Sequence, residues 1–238
     1  MATFNHQKML EARVRPAYSR IAQLVQAIIS SHVQADGRLD NADALDADLR
    51  KYSLSVESWA SDFWLRYDGK ISQSIARDFK RVGLVVDPQS PMVRAAVERL
   101  HREQVNLIKT LPLDASKQAQ DLARRAAMET GQRAETMIDQ LRGLKSGYPQ
   151  YAARRLARTE VAKAQAALVQ SQSAELGIKQ YVWCTVKDEA VRESHAKMDG
   201  KICSWDDPPE VEPGQKFHPG GTFNCRCFAM PLLPKLED

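Results

Sequence analysis

Aromatic residues are scarce, at 7% of 238, and no run reaches the roughly eighteen apolar residues that a membrane-spanning helix needs. Eleven glycines and eleven prolines are too few for a collagen-like or low-complexity chain. Four cysteines cannot build a disulfide scaffold of this size. Charge of one sign is also lacking: 34 basic against 30 acidic residues leave +4. Residues 1–113 and 114–177 each carry an excess of three positive charges, and 178–238 an excess of two negative ones. No segment has the dense basic clusters of a dedicated nucleic-acid binder. The opening MATFNHQKML does not show the basic-then-apolar pattern of a signal peptide. The expectation is a soluble protein kept in a reducing cytoplasm, with no membrane partner. The chain is 43% hydrophobic and 27% charged, enough material for one large domain or two small ones.

The texture changes near residue 177. Before it the chain is rich in Ala, Gln, Arg and Leu with helical periods; after it come short apolar runs, most of the prolines and all four cysteines. Leu10, Val14, Tyr18, Ile21, Val25, Ile28 and His32 predict a helix over 6–33, stopped by Asp36-Gly37. Five aspartates between 36 and 48 predict a loop or short helix. A second helix is expected from Ser55 to Arg81, with Trp59, Phe63, Tyr67, Ile71, Ile75 and Phe79 on one side and Gly83 as its C-terminal cap. A third begins near Pro91 and ends at Thr110, before Leu111-Pro112. A fourth is capped by Asp114, carries Ala119, Leu122, Ala126, Met137 and Leu141, and is weakened at Gly131. Gly147 and Pro149 separate it from a fifth, Pro149 to Glu175, packed through Leu156, Val161, Ala164 and Leu168. On this fifth helix Arg154 and Arg158 share a face, with Arg155 alongside. They are candidates for contacting DNA or a partner, or else a solvated face with ion pairs, for example to Glu160.

Residues 178–186, IKQYVWCTV, read as a strand with Val182, Cys184 and Val186 on one face and Tyr181, Trp183 and Thr185 on the other. Bulk on both faces predicts cover on both. Asp188 is placed to cap a short helix that ends at Asp199-Gly200, with Arg192, His195 and Asp199 on one face. A second strand is expected at 201–205, then a loop from Asp206 to Phe223, long for a connection without structure of its own. The last strand is expected at 224–230, NCRCFAM, with Cys225 and Cys227 on one face. Val182, Trp183, Ile202, Trp205, Phe223 and Phe228 are expected to make the core of this sheet.

On such a strand Cys225 and Cys227 stand near the outer limit of disulfide reach. Three outcomes stay open. The cysteines are reduced and packed as small apolar groups; or one of the pair bonds to Cys203 or Cys184; or Cys225 and Cys227 join His195, Cys203 and His218 in a zinc site, since thiolate and imidazole suit zinc. His195 with Asp199 or Cys203 offers the residue types of an acid/base or nucleophile pair, but nothing in the sequence sets a nucleophile beside a base. There is no phosphate-binding glycine loop and no Gly-x-Ser-x-Gly elbow. No catalytic residue is assigned, and a zinc-dependent nuclease or other nucleic-acid-processing module is the alternative reading.

The ordered set resembles a known family. Its elements are Ala157-Arg158-Thr159-Glu160 on an Ala-rich helix, Trp183 on a strand, Asp188 followed by Arg192 and His195, Asp199-Gly200, a proline-bearing loop, and Asn224-Cys225-Arg226-Cys227. This order is similar to the Mu protein F-like head-morphogenesis domain of tailed phages and covers about residues 145–233. The chain then divides into a helical region, 1–144, a candidate portal-docking arm, and a module, 145–238. The fold class expected is α+β: long N-terminal helices, then a small, mostly antiparallel sheet with a short helix. The resemblance implies a non-enzymatic minor capsid protein present in few copies inside the phage head. It is made in the host cytoplasm and needed for head assembly or infectivity. Its implied partners are the portal protein, with major capsid or scaffold protein and packaged double-stranded DNA as further ones. No cofactor is implied; zinc is the candidate the residues themselves raise. Arg192 and His195 are then structural, hydrogen-bonding the proline loop.

Overall fold

A computed structural model describes residues 4–34, 38–128, 135, 139–140 and 148–233. In chain order the elements are α1 (Gln7–His32), α2 (Ala42–Arg81), α3 (Pro91–Met128), α4 (Tyr148–Glu175), β1 (Gln180–Thr185), α5 (Glu193–Ala196), β2 (Ile202–Ser204), β3 (Glu210–Glu212), β4 (Gln215–Lys216) and β5 (Cys227–Pro231). The class is α+β: long helices first, then small antiparallel sheets. No described helix is long and apolar enough to cross a membrane. The expectations at Asp36-Gly37, Gly131, Met137, Leu141 and Gly147 lie outside the described residues.

α1 buries Leu10, Val14, Tyr18, Ile21 and Val25 as its spacing predicts, then continues the stripe through Ile29 rather than Ile28. α2 begins thirteen residues earlier than expected. Asn41 Oδ1 accepts the amide protons of Asp43 (3.0 Å) and Ala44 (3.0 Å), an N-cap that starts the helix inside the aspartate-rich stretch. Its buried line is Val56, Ala60, Trp64, Asp68, Ser72, Ile75 and Phe79. That is one position round from Trp59, Phe63 and Tyr67, because two of the buried residues are polar and invisible to an apolar period. Gly83 does cap α2, at φ +83°, with its N–H on the Lys80 carbonyl at 3.1 Å.

The expected break at Leu111-Pro112 does not occur. α3 runs through Pro112, and Asp114 is an interior residue rather than a cap. Proline removes the amide that would bond the Ile108 carbonyl. Burial of Ile108, Leu111 and Ala115 on either side offsets that loss. α4 starts where expected and buries Leu156, Val161, Ala164 and Leu168. From Thr159 to Ser173 it is covered almost all round, as a helix in the middle of a core must be.

Compactness divides the chain into two units, each built from separate stretches. One comprises Met1–Arg13, Phe63–Glu103 and Arg158–Asp238; the other Val14–Asp62 and Gln104–Ala157. In the second, polar side chains tie the helices: Ser116 Oγ donates to Asp46 (2.7 Å), Lys109 pairs with Glu57 (2.7 Å) and Gln150 Nε2 donates to the Ser19 carbonyl (3.3 Å). In the first, α4 is the hub. Gln165 donates to the Phe4 carbonyl (2.6 Å) and accepts from the His6 amide (3.0 Å), while Gln172 donates to Ser72. Phe4 packs edge-on against Phe79 at 4.7 Å.

The sheet has the order β2-β1-β5, all antiparallel. β1 buries Tyr181, Trp183 and Thr185, whereas Val182 and Cys184 are half-exposed, so one face is covered rather than both. Paired with them on the same buried face stand Cys203 from β2 and Cys227 and Ala229 from β5. The expected core is therefore right for Trp183 and Trp205 and wrong for Ile202 and Phe223, which are exposed. The long loop after β2 holds a hairpin of its own, β3–β4. The final strand starts at Cys227, not Asn224.

Candidate functional site

The first turn of β5 and the chain just before it are held by α4. Asn224 sits at φ +57°, the left-handed region that asparagine tolerates better than most side chains. Its amide donates to Thr159 Oγ1 at 2.9 Å, and its Oδ1 accepts from Arg158 Nη1 at 3.2 Å. Arg158 also grips Glu11 with two contacts of 3.1 Å. Glu160, the last of the Ala-Arg-Thr-Glu set, is 1% exposed and points away from that network. Burial pushes its carboxyl up to about 7, against Lys163 and helped by Asp68 and Glu103. It is therefore not the ion-pair partner expected for the arginines.

Gly220 explains the glycines of the proline loop. At φ +87° its missing Cβ would lie 2.7 Å from the Ala162 carbonyl oxygen. The loop passes so close to α4 that only glycine fits, and from there the Gly220 amide donates to Cys225 Sγ at 3.4 Å. Arg192, the residue before α5, clamps the same loop: Nη2 donates to the Phe223 carbonyl (2.8 Å) and Nη1 to Thr222 Oγ1 (3.3 Å). Asp188 accepts the Ala190 amide (3.2 Å) and pairs with Arg226. It stiffens a turn and does not cap α5, whose N-cap position is Arg192, with no side-chain capping bond. α5 has four residues, so Asp199 lies beyond it. Its carboxylate takes the Thr185 amide (2.8 Å) and hydroxyl (3.1 Å), and the amide bond holds its pKa below the ordinary carboxylate value. Gly200, at φ +82°, turns the chain into β2.

These clamps converge on His195, which is 2% exposed. Its Nδ1 lies 3.4 Å from Cys227 Sγ and 3.6 Å from Cys225 Sγ. Its Nε2 faces Arg192 Nη1 at 3.4 Å and Glu212 Oε1 at 3.7 Å. Trp183 packs edge-on to the ring and Phe217 tilts against it. Cys225 is held well below the ordinary thiol range, first by a hydrogen bond from the Cys227 thiol and further by His195 and the Cys227 and Gly220 amides. Cys227 is raised by the same pairing and by burial. The two sulfurs therefore compete for one proton, with Cys225 the more acidic of the pair. An open recess of about 260 Å³, solvent included, adjoins the three residues, with Arg192, Asn224 and Arg226 in its wall. Imidazole and thiolate donors are the set that borderline-soft cations prefer.

Cys203 and His218 do not join this cluster. β2 and β5 flank β1 on opposite edges, so Cys203 stands opposite Tyr181 while Cys227 stands opposite Thr185. There the Tyr181 hydroxyl meets His218 Nδ1 at 2.9 Å, with Trp205 against both rings. Burial keeps the His218 pKa low and those of Tyr181 and Cys203 high, so the group is a neutral polar core. All four cysteines are free thiols, and none makes the disulfides to Cys203 or Cys184 that spacing allowed. The meeting of Cys225 and Cys227 arises from the turn at Asn224 rather than from strand period. Of the arginines, Arg154 is exposed, Arg155 lies over the Tyr151 ring at 5.4 Å, and Arg158 is engaged. Glu11, Gln7 and Glu212 escaped the sequence reading. Gln7 donates to the Cys227 carbonyl at 2.9 Å, a contact 220 residues apart that no local pattern signals.

Residues 117–230 match the family model for the Phage Mu protein F like protein. A protein of Haemophilus influenzae (strain Rd), named only as an uncharacterized protein, is 32% identical over 207 residues, 83% of this chain and 45% of that relative. The chain therefore spans less than half the length of this curated relative. No solved structure matches it. The family match takes in the described residues of the Ala-Arg-Thr-Glu helix, the Trp183 strand and the Asn-Cys-Arg-Cys turn. Residues 117–230 of this chain thus form a Mu protein F-like domain, the mark of a phage head-morphogenesis family.

Proposed function

We propose that this chain is a minor capsid protein that associates with the portal inside the procapsid during head assembly and lies beside the packaged DNA. The observation that supports it most is the use of the family's residues. Arg158, Thr159, Arg192, Asn224 and Arg226 are spent on fixing the loop before β5, and Asp199 on fixing the end of β1. A module whose polar residues lock its own fold serves as a docking body. The apolar stripes of the long helices are buried, but Leu24, Leu54 and Leu65 stay exposed on them, apolar side chains of the kind that a partner's groove takes. Major capsid or scaffold protein is the further partner class.

The exposed Arg154, with Arg155 beside it on α4, carries the DNA part of this reading. Neutralising both should weaken binding to duplex DNA and flatten its salt dependence.

The test is quantitative mass spectrometry of purified procapsids and virions, with cross-linking to locate neighbours. The expected result is a substoichiometric band cross-linked to the portal. Finding the chain only as free protein in infected cells sinks the reading.

A further inference from the structure

We propose that His195 Nδ1, Cys225 Sγ and Cys227 Sγ bind one zinc ion, which fastens α5 to the turn before β5. This goes beyond the assembly reading and does not depend on it.

A tetrahedral zinc with Zn–S about 2.3 Å and Zn–N about 2.0–2.1 Å has an N···S edge of about 3.5–3.6 Å. The two N···S separations are 3.4 and 3.6 Å, and all three donor atoms lie within 4.8 Å of one another. One imidazole lone pair can accept only one good hydrogen bond, yet Nδ1 is presented to both sulfurs. A single ion at their common centre satisfies all three.

On the other side of the ring, Glu212 Oε1, on the β3–β4 hairpin, faces Nε2 at 3.7 Å, beside Arg192 Nη1 at 3.4 Å. The carboxylate favours a proton on Nε2, against the pull of the guanidinium, and so turns the Nδ1 lone pair toward the sulfurs, the arrangement that orients metal-binding histidines. The hairpin that sequence reading missed thus supplies the outer partner of the site.

The donors are also buried: His195, Cys225 and Cys227 are 2%, 2% and 0% exposed, and the Gly220 amide is already aimed at Cys225 Sγ. α5 has four residues and no side-chain cap, so its own hydrogen bonds do little to fix it. Two thiolates with one imidazole favour zinc over magnesium or calcium, which take oxygen ligands. The recess walled by Arg192, Asn224 and Arg226 leaves a fourth position for water.

The full chain should be purified without chelator and its metal content measured by mass spectrometry. About one zinc per chain is expected. Cobalt(II) added to chelator-stripped wild-type protein should give thiolate-to-metal charge-transfer absorption, a readout that needs no variant. Cys225→Ser and Cys227→Ser should each lower zinc content at least tenfold, while Cys203→Ser keeps it. Glu212→Gln should weaken zinc affinity about tenfold or more with the stoichiometry intact at saturating metal. The proposal is overturned if stripped wild-type protein with four titratable thiols shows no cobalt–thiolate band. It is equally overturned if zinc stays with the double Cys225→Ser, Cys227→Ser chain, or if copper or iron fills the site instead.

Discussion

Arg158 holds Glu11 with two nitrogen–oxygen contacts of 3.1 Å and, from the same guanidinium, reaches Asn224 Oδ1 at 3.2 Å. One planar group thus ties the first helix and the last turn of the chain to α4. Lysine, a point charge without the fork, cannot serve both partners. Arg158→Ala should destabilise the fold by about 2 kcal/mol, and Arg158→Lys should recover less than half. Denaturant midpoints measure both; a lysine variant as stable as wild type refutes the role.

Glu160 should make stability fall as pH rises. Its two carboxylate oxygens are buried without a hydrogen-bond partner, and its folded pKa is raised from 4.5 to about 7. Below pH 4.5 both states are protonated and the group costs nothing. Between 4.5 and 7 the unfolded chain releases the proton while the folded one keeps it, so stability drops by about 3 kcal/mol across that window. Glu160→Gln should remove this slope and leave the variant more stable at pH 8. Equal slopes for the two proteins would mean that the carboxyl is solvated.

Gly220→Ala should be disruptive. The residue is at φ +87° and the new Cβ would meet a backbone oxygen at 2.7 Å, which a side-chain rotation cannot relieve. A cost of about 2–4 kcal/mol is expected, read as a lower melting temperature. Gly214→Ala, at φ +71° with open space around it, should cost only the strain of its backbone conformation. Equal losses at the two positions would show that close packing on α4 is not the reason for Gly220.

Tyr181→Phe removes the partner of His218 Nδ1 and should cost about 1–2 kcal/mol. Because burial lowers the His218 pKa from 6.5, the unfolded chain takes up the proton first. The histidine's contribution is therefore complete above pH 6.5 and is lost as pH falls below it. His218→Gln should flatten that part of the stability profile; a profile unchanged below pH 6.5 would place His218 in water.

The amino-acid sequence by itself determined the helical character of the first part, the bounds of α1, the cap at Gly83, the start of α4, the antiparallel sheet and the ordered residues that mark the family. Those signals are local: a period, a cap, a turn residue. Tertiary structure decided the rest. Pro112 stays helical because burial on both sides outweighs one lost bond, and α2 turns Ser72 inward because Gln172 of α4 bonds it there. His195 meets Cys225 and Cys227, and not Cys203 or His218, because β1 separates β2 from β5. Which side chains meet across such distances depends on strand order and on one left-handed turn at Asn224, and neither is written in any short stretch of the chain.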